Sequence, residues 1–189
     1  MLQFPYLDEP LTGPPPPSLA AGAVVRYRPL IPVTVVGPAG QRRFSRAVVD
    51  SGGDDTIFPM GVLALIGAAP RPDTGHRIRW RGNLHPLRFA DVDLMFADDA
   101  ASCRWPSVIA FSPAPLPYPI LGNAGCLEFF DVRLLGGDLV VELTAAAAIG
   151  SPRHLAGADR TDLEIYPTPL PRAASSPAVD ESDTRPIRA

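Results

Sequence analysis

Ala47-Val48-Val49-Asp50-Ser51-Gly52-Gly53-Asp54-Asp55-Thr56 is the stretch from which the fold of the chain is read. Three apolar residues, two of them β-branched, read as the buried end of a strand. That strand delivers an aspartate into a glycine-rich turn. The Asp50 carboxylate can hold and release a proton. The Ser51 hydroxyl can brace the loop on a backbone group, and Thr56 can do the same from the far side. Gly52 lets the chain turn sharply and lets another backbone come near. A plainer reading makes Asp50 a turn aspartate bonding its own backbone, and Asp54 and Asp55 solvated loop carboxylates.

Outward from this loop the pattern is mostly strand. Upstream, residues 24–36 are apolar and β-branched, with Pro29 and Pro32 marking an edge or a break. Gly37-Pro38-Ala39-Gly40 is a turn, and residues 43–49 form the returning strand of a hairpin. Downstream come Ile57-Phe58-Pro59 and an apolar stretch, 62–66, fit for one or two helical turns. Residues 78–96 read as a long hairpin turning at Gly82-Asn83. Its return arm alternates Val92, Leu94 and Phe96 with Asp91 and Asp93. Residues 105–111 make another strand. A proline-rich loop then leads to Ile120-Leu121-Gly122, and a short helix is expected over 123–129. Strands at 132–134 and 139–143 flank the turn Gly136-Gly137-Asp138. The fold class expected is all-β with one or two short helices, occupying residues 23–148. Residues 1–22 are expected to be a disordered leader and 149–189 a mostly disordered, flexible Pro-rich tail, within which residues 163–166 carry a weak strand signal.

Composition removes several function classes. The net charge of -3 supplies no basic face for nucleic acid. Every basic residue is arginine, so Schiff-base and Ser-Lys chemistry have no lysine to use. Cys103 and Cys126 have no C-x-x-C spacing and read as buried free thiols. His76, His85 and His154 lack metal-ligand spacing. A calcium loop starting at Asp50 fails because its sixth position is Asp55 and its twelfth is Gly61. No phosphate-binding loop or nucleophile elbow is present. With no signal-like start and no apolar run of about 20 residues, a soluble, cytoplasmic protein without membrane contact is expected.

The Asp50 segment resembles the motif of the retropepsin-like (retroviral-type) aspartic proteases, the single-domain dimeric relatives of pepsin. Asp50, Ser51, Gly52, Asp54, Asp55 and Thr56 match that motif position by position, and Gly53 stands where alanine or serine is usual. Ile120-Leu121-Gly122 is similar to the family's second hallmark, an apolar-apolar-Gly segment that packs beneath the catalytic loop. Retroviral members carry arginine after that glycine; this chain has Asn123. The resemblance covers residues 24–145. It implies a closed acid-protease barrel and an aspartic endopeptidase acting as a homodimer on extended peptide or protein segments. Asp50 would be catalytic. Ser51, Gly52, Thr56 and Gly122 would support the loop, and Gly53, Asp54 and Asp55 would bind substrate. Residues 77–88 would form a flap. No metal or organic cofactor is implied. Two carboxylates sharing one proton are needed to activate water this way. With Asp50 taken as the only aspartate of an Asp-Ser/Thr-Gly triplet, its partner would be Asp50 of a two-fold-related copy. The competing reading is a catalytically inactive member of the same fold that binds peptides or mediates dimerisation.

Overall fold

Short runs of alternating apolar and polar residues pair with partners far away in the chain. The computed structural model describes residues 1–146 and 164–167. In chain order its strands are β1 (Leu2–Pro5), β2 (Leu7–Pro10), β3 (Val25–Arg28), β4 (Leu30–Gly37), β5 (Gly40–Val49), β6 (Ile57–Pro59), β7 (Arg77–Trp80), β8 (Asn83–Pro86), β9 (Arg88–Ala97), β10 (Ala101–Ser112), β11 (Ile120–Leu121), β12 (Phe130–Leu135), β13 (Val140–Ala145) and β14 (Glu164–Pro167). One short helix, α1 (Val62–Ile66), follows β6, and a single 3-10 turn, Leu127–Phe129, precedes β12. Six strands close a barrel in the order β10-β6-β11-β5-β4-β9, with β9 returning to β10. The chain is therefore an all-β barrel with short helical turns. Closure leaves no free edge around the ring.

The barrel closes around an aromatic core. Along β9, Ala90, Val92, Leu94 and Phe96 are buried while Asp91 is exposed, so the alternation of the sequence sets the inward face. Trp105, Phe96, Phe58 and Phe111 are fully buried. The Trp105 ring lies 5.0 Å from Phe96 and 4.9 Å from Phe130. The prolines fall where the ladders allow them. Pro29 separates β3 from β4. Pro32 stands where the β4–β5 register shifts between Ile31 and Val33. Pro106 lies on β10 between the stretches that pair with β14 and with β6, so its missing amide costs no bond on that side.

Several expectations are corrected. Residues 1–22 are not an unstructured leader throughout: β1 pairs with β13, Leu2 opposite Leu143, and β2 pairs with β3. Leu2 and Phe4 are buried, which is what holds so short a strand in place. The 78–96 hairpin is two units, a β7–β8 ribbon and the longer β9. The ribbon turns at Arg81-Gly82, not Gly82-Asn83, with φ of 49° and 84°. Both residues are left-handed, as a two-residue turn matching strand twist requires. The helix expected over 123–129 shrinks to the 3-10 turn, because Gly125 adopts the left-handed φ of 84°, which breaks the right-handed path at that point. In the tail, Glu164–Pro167 pairs antiparallel with β10; the rest of 149–189 lies outside the described residues. Cys103 and Cys126 are buried and free, and burial pushes both thiols up. Among the described residues no helix is long and apolar enough to cross a membrane.

A candidate active site at the Asp50 loop

Strand β5 ends in Ala47 and Val49, both buried, so Asp50 emerges at the barrel rim on a fixed support. On one side β5 runs antiparallel to β4. On the other it runs parallel to β11, Val48 opposite Ile120 and Val49 opposite Leu121. After the loop the chain returns as β6, antiparallel to β11. The two legs of the Asp50 loop therefore straddle β11, and the chain leaving β11 passes beneath the loop.

Main-chain hydrogen bonds tie the crossing together. The Asp50 amide donates to the Leu121 carbonyl at 3.0 Å, Asn123 to Gly53 at 2.8 Å, Ala124 to Asp54 at 2.8 Å, and Thr56 to Ala124 at 3.1 Å. The buried Thr56 hydroxyl donates to the Gly122 carbonyl at 3.2 Å. That approach is why position 122 must be glycine: a Cβ there would lie 2.2 Å from the Asp55 carbonyl oxygen. Asn123 thus holds the loop through its backbone amide.

Within the loop, Asp50 is partly buried. Its Oδ1 accepts the Gly52 amide at 3.1 Å, and its Oδ2 accepts no hydrogen bond among the described residues. The bracing expected of Ser51 is supplied by Asp50 and Thr56 instead; Ser51 is exposed and its hydroxyl makes no bond among the described residues. Gly52 and Asp54 are exposed, and Gly53 is partly buried against the Asp50 carboxylate. Asp55 is partly buried. Burial raises its pKa, the nearby His76 opposes that rise, and Asp54 adds to it.

The sequence also holds a second Asp-Thr-Gly triplet, Asp73-Thr74-Gly75, against the expectation that Asp50 stands alone. Its surroundings differ. No buried strand precedes it. Its Oδ1 accepts the Gly75 amide at 2.9 Å, and Arg88 and Arg77 pair with it at 2.6 and 3.5 Å. The Gly75 amide bond first, and the two arginines with it, hold this exposed carboxylate below its usual range. Asp73 is a turn carboxylate that pins the base of the β7–β8 ribbon.

Two ribbons rise near Asp50. The Val49 amide donates to Pro29, which puts the β2–β3 ribbon on the same rim. Its Glu9 bonds Arg26, Arg28 and the Tyr118 hydroxyl, just before β11. The β7–β8 ribbon is rooted through Ile78, which packs in an apolar cluster with Ile57, Leu87, Ala110, Leu116 and Ile120. Ile57 and Ile120 belong to the strands that carry the loop. The pairing of Ile78 with His85 keeps His76 and His85 apart; His76 sits opposite Leu87. No spacing in the sequence signalled the placement of His76 near Asp55.

Among the described residues no three His, Cys, Asp or Glu side chains stand together to hold a metal. No protein-family model and no curated protein matches the chain.

Proposed function

We propose that the chain is one half of a dimeric aspartic endopeptidase of the retropepsin-like kind. The observation that carries this reading is the Asp50 loop straddling β11, with Gly122 pressed beneath it and one Asp50 oxygen left without a partner among the described residues. Such a loop holds a carboxylate rigidly at a rim while leaving it open to water and to a second copy.

In the dimer two Asp50 carboxylates face each other and share one proton, since like charges held close do not both ionise. A water lies between them. The ionised carboxylate takes a proton from the water as its oxygen attacks the peptide carbonyl carbon. The protonated carboxylate gives its proton to the carbonyl oxygen. Collapse of the tetrahedral intermediate breaks the C–N bond, a proton passes to the leaving nitrogen, and an acid and an amine result. Substrate is held in extended form, through main-chain hydrogen bonds and pockets of alternating direction. The inactive, peptide-binding alternative draws support from Asn123, which offers no guanidinium to pair with Asp54.

The test compares cleavage of reduced, alkylated casein by wild type, Asp50→Asn and Asp73→Asn. Both subunits carry the substitution, so Asp50→Asn removes the base and the acid together and predicts a fall of at least about 10²–10⁴-fold, with near-normal cutting for Asp73→Asn. Equal cutting by wild type and Asp50→Asn removes Asp50 from the mechanism. A folded, dimeric wild type that cuts nothing selects the binding module.

A further inference from the structure

We propose that the outer edge of β10 at Ala101–Arg104 is a strand-addition site for an extended peptide, and that residues 164–167 are the chain's own, releasable occupant of it. The site is independent of the endopeptidase reading. It lies at the far end of β10 from Ala110, which pairs with Ile57 just after the Asp50 loop, roughly 25 Å back along the strand.

The first observation is the direction of the backbone groups. Along an antiparallel strand, successive residues turn their amide and carbonyl to opposite neighbours. β10 keeps one register with β9 from Ser102 to Phe111. The Asp98 amide donates to the Ala101 carbonyl at 3.0 Å, so the odd-numbered residues of β10 face β9 and the even-numbered ones face away. The other end of the strand agrees: Ala110 donates to Thr56 at 2.9 Å, and Ser112 accepts from Met60 at 2.9 Å. Ser102 and Arg104 therefore present amide and carbonyl on the β14 side, with positions 166 and 164 directly opposite. Pro106 is next in this series and has no amide to offer. The edge thus ends at Pro106 in one direction and at the turn between β9 and β10 in the other. Between those limits stand the 4 residues of β14.

The second observation is how the occupant meets that edge. Pro167 stands opposite Ala101, whose groups face β9, so the amide that proline lacks is not needed there. Positions 164 and 166, where an amide is needed, hold glutamate and tyrosine. The Arg104 side chain is turned to Asp93 on β9, which it meets at 2.6 Å, so the edge offers main chain rather than a free charge. What it selects is an extended segment with an amide at two alternate positions, the requirement of strand addition in general.

The third observation is that β14 is held differently from the strands of the ring. Among the described residues it pairs with β10 alone, over 4 residues, while each ring strand pairs on both sides. Every backbone bond it gains is set against the ordering of a residue, and these two effects are of similar size. Its link to β13 is residues 146–163, a stretch at most about 60 Å long. A tether of this kind gives the segment a local concentration on the order of 1 mM. Residues 164–167 therefore keep the edge covered against weak competitors and yield it to a peptide that pairs better.

The experiment reads amide hydrogen exchange by NMR in the full-length chain carrying Asp50→Asn, so that no added peptide is cut. A second full-length protein adds Glu164→Pro and Tyr166→Pro, which remove the two amides that face β10. In it the Ser102 and Arg104 amides should exchange at least about tenfold faster, while those of Cys103 and Trp105, which face β9, keep their protection. The probe is a synthetic peptide of residues 161–168. Added at about 1 mM, the local concentration of the tethered segment, it should restore protection at Ser102 and Arg104; the same peptide N-methylated at its Glu164 and Tyr166 positions should not. A fluorescein-labelled form should bind the proline variant at least about tenfold more tightly than the chain with its own segment intact. Equal exchange in the two proteins overturns the proposal, because residues 164–167 then do not cover the edge. So does a peptide that restores nothing, or one that works equally well when N-methylated. Loss of protection at Cys103 and Trp105 in the proline variant also overturns it, since β14 would then be part of the barrel's framework rather than a releasable occupant.

Discussion

Substituting Gly122 by alanine tests the crossing beneath the Asp50 loop. The added Cβ would stand 2.2 Å from the Asp55 carbonyl oxygen, 2.5 Å from the Asp55 carbonyl carbon and 2.9 Å from the Gly53 oxygen. Ordinary contact begins near 3.4 Å, so backbone must move by about 1 Å. All three obstacles are main chain, with no flexible side-chain end to swing away. Overpacking of this sort costs about 1–3 kcal/mol. The shift also strains the Asn123–Gly53 and Thr56–Gly122 hydrogen bonds, which brings the total to about 3 kcal/mol. For a chain of this size that lowers the melting temperature by roughly 6–12 °C. Molecules that remain folded carry Asp50 about 1 Å out of place, which predicts about a hundredfold loss of cleavage. Thermal unfolding by circular dichroism and casein cleavage at a temperature where the variant is folded read the two effects. Gly136→Ala is the control: nothing lies within 4 Å of its Cβ, and it should change neither. A Gly122→Ala protein with wild-type melting and wild-type cleavage refutes the reasoning outright.

Phe4→Ala should cost about 3–5 kcal/mol, because the ring is 4% exposed and packs on Phe96 with centroids 6.2 Å apart; a urea midpoint equal to wild type would mean that β1 is not docked in solution. Asp55→Asn should stabilise the fold at neutral pH. The folded pKa of Asp55 is raised, so its favourable contribution is full below the unfolded value of 3.8 and is lost as pH rises through the folded value. Urea midpoints of the two proteins should therefore differ at pH 7 and converge near pH 3; an advantage that persists undiminished at pH 3 would assign the effect to something other than ionisation.

The centre of this site was legible because its signals are local. An apolar strand end, a carboxylate and two glycines lie within ten positions of one another, and each residue type has one steric or protonic reason to be there. Gly122 was legible as a partner only through resemblance, since nothing local says what passes over it. β1 and β2 were invisible for the opposite reason. Each has four residues and ends in proline, and the partner of β1 lies at the other end of the body. A single buried pair, Leu2 and Phe4, does not raise a periodic signal above a loop. At the ribbon tip the glycine was found but the register was not, because the first left-handed position is filled by Arg81 rather than the asparagine or glycine that such turns favour. The helix after Gly122 is shorter than its pattern suggests because Gly125 takes the left-handed conformation, and a glycine in the sequence does not say which hand its backbone will take.

The pairing of Leu2 with Leu143 also orders events in time. β1 is made before every other described strand, and its partner β13 is among the last of them. At roughly 5–20 residues per second the wait is on the order of 10 s or more, far longer than a short strand needs to find a finished partner. Through that interval Leu2 and Phe4 travel as an unpaired apolar strand on the nascent chain. Docking of β1 is thus a completion signal: a chain stopped before β13 keeps β1 adhesive, and one that passes it conceals that strand.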